Sequence, residues 1–230
     1  MSLEDRAVLC AGNNADFYGA VFDAQRLIWT RDRSCWISTE QPPPYYSQLV
    51  TLSPENTIEQ LAKITDLRWL LTRPWSFKDA FCTLDVSSEG FDILFEAQWI
   101  WRDPAKVKRP DGWIQIRQPS QLRKWEAAWA ANGSPTPITV FKEPLLEEPG
   151  FYVMAQLHNG EITGGAIGNF SEDVVGLSNV FGASFAAAAD AVQSLRGDLP
   201  VVGYERGDDL VAARACGFTE VAPLRVWLTR

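Results

Sequence analysis

Histidine is almost missing from this chain. His158 is the only one in 230 residues, and the four cysteines, Cys10, Cys35, Cys82 and Cys216, stand far apart with no C-x-x-C pair. That leaves too few soft ligands for a Cys/His zinc site. No metal site is expected, and the thiols are expected to be free in a reducing compartment. Clustered positive charge is missing too: 21 Lys and Arg face 29 Asp and Glu, for a net charge of −8. The one basic cluster, Lys106, Lys108 and Arg109, sits among prolines and glycine. A nucleic-acid partner would call for a basic stripe, so none is expected. No apolar run approaches the roughly 20 residues of a membrane span. The start, Met-Ser-Leu-Glu-Asp-Arg, lacks the apolar core of a secretory signal. The expectation is a cytoplasmic protein with no membrane partner.

Familiar catalytic signatures are also lacking. No phosphate-binding loop or dinucleotide fingerprint occurs, since the glycines from Gly160 to Gly168 lie between hairpin strands instead of opening a helix. His158 falls in a turn, which removes the base that a serine hydrolase would need beside Ser184.

What is present is apolar and aromatic. Hydrophobic residues make up 46% of the chain and ten are tryptophans, most of which are expected to pack a core. A stretch with two prolines, charges and a glycine, residues 103–112, marks a boundary between units 1–106 and 107–230.

The second half alternates clearly. Residues 112–117 read as a strand, and 119–132 as a helix with Pro119 at its start and Asn132-Gly133 as its stop. Strands at 151–157 and 161–168 flank Asn159-Gly160, a turn pair suited to positive φ. A strand over 173–181 follows, then a helix over 185–195 capped by Ser184. A strand over 201–204, a helix with Asp208 as its cap, and a strand over 224–228 close the chain. The order is an antiparallel meander that becomes βαβ.

The first half is less regular: helices are expected at 13–25 and 57–64, strands at 46–52, 81–86 and 91–101. A faint repeat links the halves. Ser47-Gln48-Leu49-Val50 compares with Ser178-Asn179-Val180, and Gly90-Phe91 with Gly217-Phe218, each Gly-Phe leading into a strand with a tryptophan. Duplication of one unit and coincidence both fit.

The closing order, with the segment from Leu199 to Leu228 and its Gly217-Phe218 pair, resembles the second half of the GNAT N-acetyltransferase superfamily over about residues 112–230. The resemblance implies an α/β (α+β) fold with a mixed, mostly antiparallel sheet flanked by helices; the faint repeat would make the first half a degenerate or partial copy of the same GNAT-like unit. It also implies acyl transfer from acetyl-CoA as co-substrate to an amine of a small molecule or peptide. A splayed strand would offer its backbone to the pantetheine arm, and a turn before a helix its N–H groups to the pyrophosphate. Those roles fall to Leu177, Ser178, Asn179 and Val180 and to Phe181, Gly182, Ala183 and Ser184. The glycine-rich pattern usual in the family is replaced by Asn179-Val-Phe-Gly182-Ala-Ser184, and the tyrosine usual four residues before the Gly-Phe glycine by Ala213. A non-catalytic GNAT-like module that binds CoA, another small ligand or a protein is therefore the alternative.

On this reading Tyr204 and Glu205, ending a strand beside the splay, become catalytic: Glu205 as general base, Tyr204 as acid. The competing view pairs Glu205 with Arg206 and buries Tyr204 in the core. In the first half Tyr45, Tyr46, Trp75, Lys78 and Asp79 could line an acceptor groove or simply pack between the halves.

Overall fold

The computed structural model describes residues 1–171 and 173–230. The chain opens with helix α1 (Leu3–Gln25), then strands β1 (Thr30–Arg31), β2 (Cys35–Ile37) and β3 (Leu49–Thr51). Helix α2 (Thr57–Leu70) leads to β4 (Ser76–Asp79) and the long β5 (Phe91–Arg102). The second half runs β6 (Trp113–Gln115), α3 (Pro119–Ala131), β7 (Phe151–His158), β8 (Glu161–Phe170) and β9 (Val175–Phe181). It ends with α4 (Phe185–Gln193), β10 (Val201–Glu205), α5 (Gly207–Ala215) and β11 (Thr219–Thr229).

All eleven strands join one sheet in the order β1-β2-β3-β4-β11-β5-β10-β9-β8-β7-β6. The order is symmetric about the β11–β5 pair over four strands on each side, with β6 added at one edge. On one side β3 runs parallel to β4 across α2; on the other β9 runs parallel to β10 across α4. β5, from the first half, lies between β10 and β11, while β11, from the second, lies between β4 and β5. Gly90 and Gly217, at φ +84° and +92°, start the two central strands at matching places. The other sequence match is out of register. Leu49 and Val50 pair with Phe77 and Lys78 as Val175 and Gly176 pair with Val201 and Val202, so their counterparts are Val175 and Gly176, not Ser178 to Val180.

Alternation along the strands divides the core into two faces. Trp99, Trp101, Val202 and Val226 pack against Ala7, Cys10 and Ala11 of α1, and α3 joins that face through Leu122, Trp125 and Trp129. Ile100, Val175 and Val201 pack beneath α4, and Phe77 and Trp227 beneath α2. Eight of the ten tryptophans are buried, the exceptions being half-buried Trp29 and exposed Trp69.

Several local expectations shift. α1 starts at Leu3, not 13, because Ser2 and Asp5 form a capping box: the Ser2 hydroxyl accepts from Asp5 N at 3.0 Å, and Ser2 N donates to Asp5 Oδ2 at 2.8 Å. The strand expected over 81–86 is a turn. The Asp79 carboxylate accepts from the amides of Phe81, Thr83 and Leu84, and Cys82 takes φ +52°, so the extended piece is β4 just before it. Asp208 lies inside the first turn of α5, whose cap position is Arg206. The hairpin turn is as expected, with Asn159 and Gly160 at φ +51° and +83°.

Candidate active site

The site begins with a defect in the sheet. β9 and β10 pair only at Val175–Val201 and Gly176–Val202, then separate. The cause is a bulge in β9. Ile167 and Gly165 of β8 oppose Ser178 and Phe181, one residue too many on β9, and Asn179 absorbs it at φ +53°. Asparagine tolerates this left-handed conformation better than most residues. β10 instead stays with β5 through Glu205–Gln98.

The parting strands bound a cleft of about 310 Å³. Leu177, Ser178, Asn179 and Val180 line one wall, Gly203, Tyr204 and Glu205 the other, with Phe185 and Asp209 nearby. Gly203 is needed here, since a Cβ would stand 2.7 Å from the Leu177 carbonyl oxygen. The cleft continues beneath α1, where Asn13, Asn14, Phe17 and Tyr18 meet Tyr45, Tyr46 and Trp129. A clasp fixes α1 there: Asn13 Nδ2 donates to the Asn169 carbonyl at 3.0 Å, and Asn169 Nδ2 to the Asn13 carbonyl at 3.1 Å. Gly176 makes room for both side chains.

The structure thus brings Leu177 to Val180 together with Tyr204 and Glu205. It does not bring Phe181, Gly182, Ala183 and Ser184 into the cavity wall. Phe181 turns into the core, edge-on to Trp125 at 5.2 Å. Gly182, at φ +66°, packs on the Thr163 carbonyl. Ser184 caps α4 by accepting from Ala187 N at 3.2 Å, which leaves the Phe185 and Ala186 amides without acceptors among the described residues. The backbone of β9 beyond Gly176 is thus unpaired on the side that faces β10. The helix start offers two amides, and among the described residues no lysine or arginine lines the cleft.

The Glu205 side chain has no hydrogen bond or ion pair among the described residues. Arg206 turns away to lie 4.9 Å from the centre of the Phe95 ring. Burial, with a smaller push from Asp209, raises the Glu205 carboxyl to about 8. Burial likewise holds the Tyr204 hydroxyl well above the usual phenol range, and its ring stands edge-on to Trp99 at 5.6 Å.

Lys78 lies behind this wall at 1% exposure. Its Nζ donates to Asn14 Oδ1 at 2.7 Å and sits 4.1 Å from the centre of the Tyr204 ring. With no carboxylate partner among the described residues, burial lowers it to about 7. Of the other first-half candidates, Tyr45 and Tyr46 line the cleft, while Trp75 faces a shallow groove by Pro42, Pro43 and Pro44 and Asp79 is occupied by its turn. The part played by α1 was not legible, because contacts such as Asn13–Asn169 span 156 residues. Asp209 had a signal, the Asp208-Asp209 pair, but read as a helix start.

Among the described residues, no group of three or more His, Cys, Asp or Glu side chains could hold a metal, and no helix is long and apolar enough to cross a membrane. All four cysteines are free.

A mixed sheet in which a bulged strand leaves its parallel neighbour after a helical crossover has the fold of the GNAT N-acetyltransferase superfamily. A GCN5-related N-acetyltransferase from Kribbella flavida is similar over 94% of this chain and 95% of its own, with TM-score 0.59 and 13% identity. A GNAT-family protein from Novosphingobium aromaticivorans is similar over 93% and 96%, with TM-score 0.53 and 10% identity. N-myristoyltransferase from Saccharomyces cerevisiae is similar over 85% of this chain and 64% of its own, with TM-score 0.51 and 11% identity. Neither a family sequence model nor a curated protein sequence matches the chain.

Proposed function

We propose that the protein is an acyl-CoA-dependent N-acyltransferase that moves an acetyl group from acetyl-CoA to an amine of a small molecule or peptide. The observation that carries this reading is the position of Glu205, an unpaired carboxylate at the point where β9 and β10 part. Acyl-CoA would supply the activated thioester along the free backbone from Leu177 to Val180. Glu205, in the ionised form that grows as pH rises toward and through about 8, accepts the proton that the acceptor amine sheds as its nitrogen bonds to the acyl carbon. Tyr204, protonated at neutral pH, donates a proton to the departing thiolate. The cleft walls partly desolvate both groups, which strengthens their electrostatic interactions.

The test is calorimetric titration with acetyl-CoA, with desulfo-CoA and ATP as controls, followed by thiol release in the presence of amines. Micromolar binding with transfer that falls about 10²-fold or more in Glu205→Gln supports the reading. Transfer at the wild-type rate in that variant removes Glu205 as the base.

A second reading has its own observation. The three residues between β9 and α4 are tied up by Thr163 and the Ser184 cap, and no basic side chain lines the cleft. A module that binds a small ligand without transfer would have these features, and absence of acetyl-CoA binding at millimolar concentration would favour it.

A further inference from the structure

The cleft extends well past Tyr204 and Glu205, and its far end has a chemistry of its own. We propose that this end takes a small aromatic amine, cationic in solution and free of carboxylate or phosphate groups. The proposal rests on the acyl-transfer reading only in making that amine the acceptor.

The far walls are aromatic. Tyr18 and Tyr46 lie with ring centres 4.8 Å apart, and Tyr45 stands edge-on to Trp129 at 5.7 Å. Such rings give a flat ligand stacking partners and a cation favourable π-faces. The carboxyl groups of Glu205 and Asp209 line the cleft, and among the described residues no lysine, arginine or histidine does. Lys78 is screened behind the rings of Tyr18, Trp99 and Tyr204, with its amine committed to Asn14. An anionic ligand would meet the Asp209 carboxylate and further oppose ionisation of Glu205, with no basic side chain in the wall to neutralise it, whereas an ammonium group would complement Asp209 and favour the ionised form of Glu205.

Two further features are costly without a ligand. Tyr46 is 8% exposed, and its hydroxyl is buried with no partner among the described residues. A buried hydroxyl left unpaired costs its desolvation energy, and a polar ligand group in the cleft would satisfy it. Tyr45 adopts φ +75°, a conformation unfavourable for a bulky side chain. The strain holds its ring over Trp129 at the cleft mouth, where its hydroxyl donates to the Pro135 carbonyl at 2.7 Å.

The experiment is calorimetry on the full chain with 2-phenylethylamine, 2-phenylethanol and phenylalanine. The amine is expected to bind at least about tenfold tighter than either the neutral isostere or the amino acid, whose carboxylate is excluded. Tyr45→Gly, which relieves the strained φ, is expected to raise the melting temperature while weakening amine binding about fivefold or more. Tyr46→Phe is expected to weaken binding without loss of stability. Equal affinities for all three ligands, no binding of any, or amine binding unchanged in both variants would overturn the proposal. Adding acetyl-CoA separates the two claims. Amine binding without thiol release removes the transfer reading and leaves the ligand class standing. Thiol release with phenylalanine but not with 2-phenylethylamine keeps transfer and removes the ligand class.

Discussion

Replacing Lys78 by methionine should make the protein more stable at pH 6, and the gain should shrink as pH rises. The side chain is 1% exposed, and among the described residues it has no counter-ion and its only hydrogen bond is to Asn14. Burial lowers it from 10.5 to about 7. Below pH 7 the lysine is charged in both folded and unfolded chains, so the full desolvation cost opposes folding. Between pH 7 and 10.5 the unfolded chain binds a proton that the folded chain does not, so stability rises with pH across that window. At 1.36 kcal/mol per unit, the cost at pH 6 is on the order of 5 kcal/mol, falling by about 3 kcal/mol by pH 9.5. Methionine fills a similar volume and leaves Asn14 without its donor, which costs about 1 kcal/mol. The net expectation is a gain of about 2–4 kcal/mol at pH 6 and close to none at pH 9.5.

The assay is urea unfolding of wild type and Lys78→Met at the two pH values, comparing midpoints at unchanged slope. Using the difference between the proteins cancels the titration of every group they share, Glu205 included. A variant less stable at pH 6, or a difference independent of pH, would refute the reasoning. It would mean that Lys78 stays charged when folded and that its contact with the Tyr204 ring is worth more than its hydration.

Glu205→Gln should match wild type in stability at pH 4 and exceed it above pH 8. The folded carboxyl stays protonated to about 8, so wild-type stability falls from about pH 4.5 through 8 as the unfolded chain ionises; denaturation at both pH values tests this. Gly176→Ala would drive a methyl group into Asn13 and Asn169, and should cost about 2–4 kcal/mol, read as a lower melting temperature and weaker protection of α1 amides from exchange. Expressed alone, residues 107–230 should fail to give a cooperative unfolding transition, because β10 would lose its β5 partner and β11 both of its neighbours; a sharp transition would contradict this.

The second half was readable because its elements carry local signals. Pro119 opens α3, Ser184 caps α4, Asn159-Gly160 closes the β7–β8 hairpin, and the strands alternate. The first half hides its structure in short pieces. β1, β2 and β4 are two, three and four residues long, too short to display a period. Between β4 and β5 the apolar residues Phe81, Leu84 and Val86 resemble a strand, but Asp79 draws the backbone into a turn. Tyr204 and Glu205 could be picked out because a strand ending on polar groups before a glycine and helix is a local feature. The aromatic end of the cleft could not, since α1 reaches it by packing across the sheet.

The sheet order shows how the cleft is enclosed. We read the chain as two units, 1–106 and 107–230, that each lend their last strand to the other. β5 completes the sheet beside β10, and β11 does so beside β4. The strand that holds β10 while β9 leaves it therefore belongs to the first unit, as do α1, Tyr45 and Tyr46 on the cleft walls. The two units differ where β4 and β10 end. β10 runs into α5 and leaves Glu205 unpaired in the cleft, whereas β4 runs into a turn that occupies Asp79. One unit thus keeps a free carboxylate at its splay, and the other supplies strand, helix and aromatic rings to enclose it. On this view the first unit is the ligand-binding wall of the second. Changes in its aromatic lining would then alter which ligand is taken without disturbing Glu205.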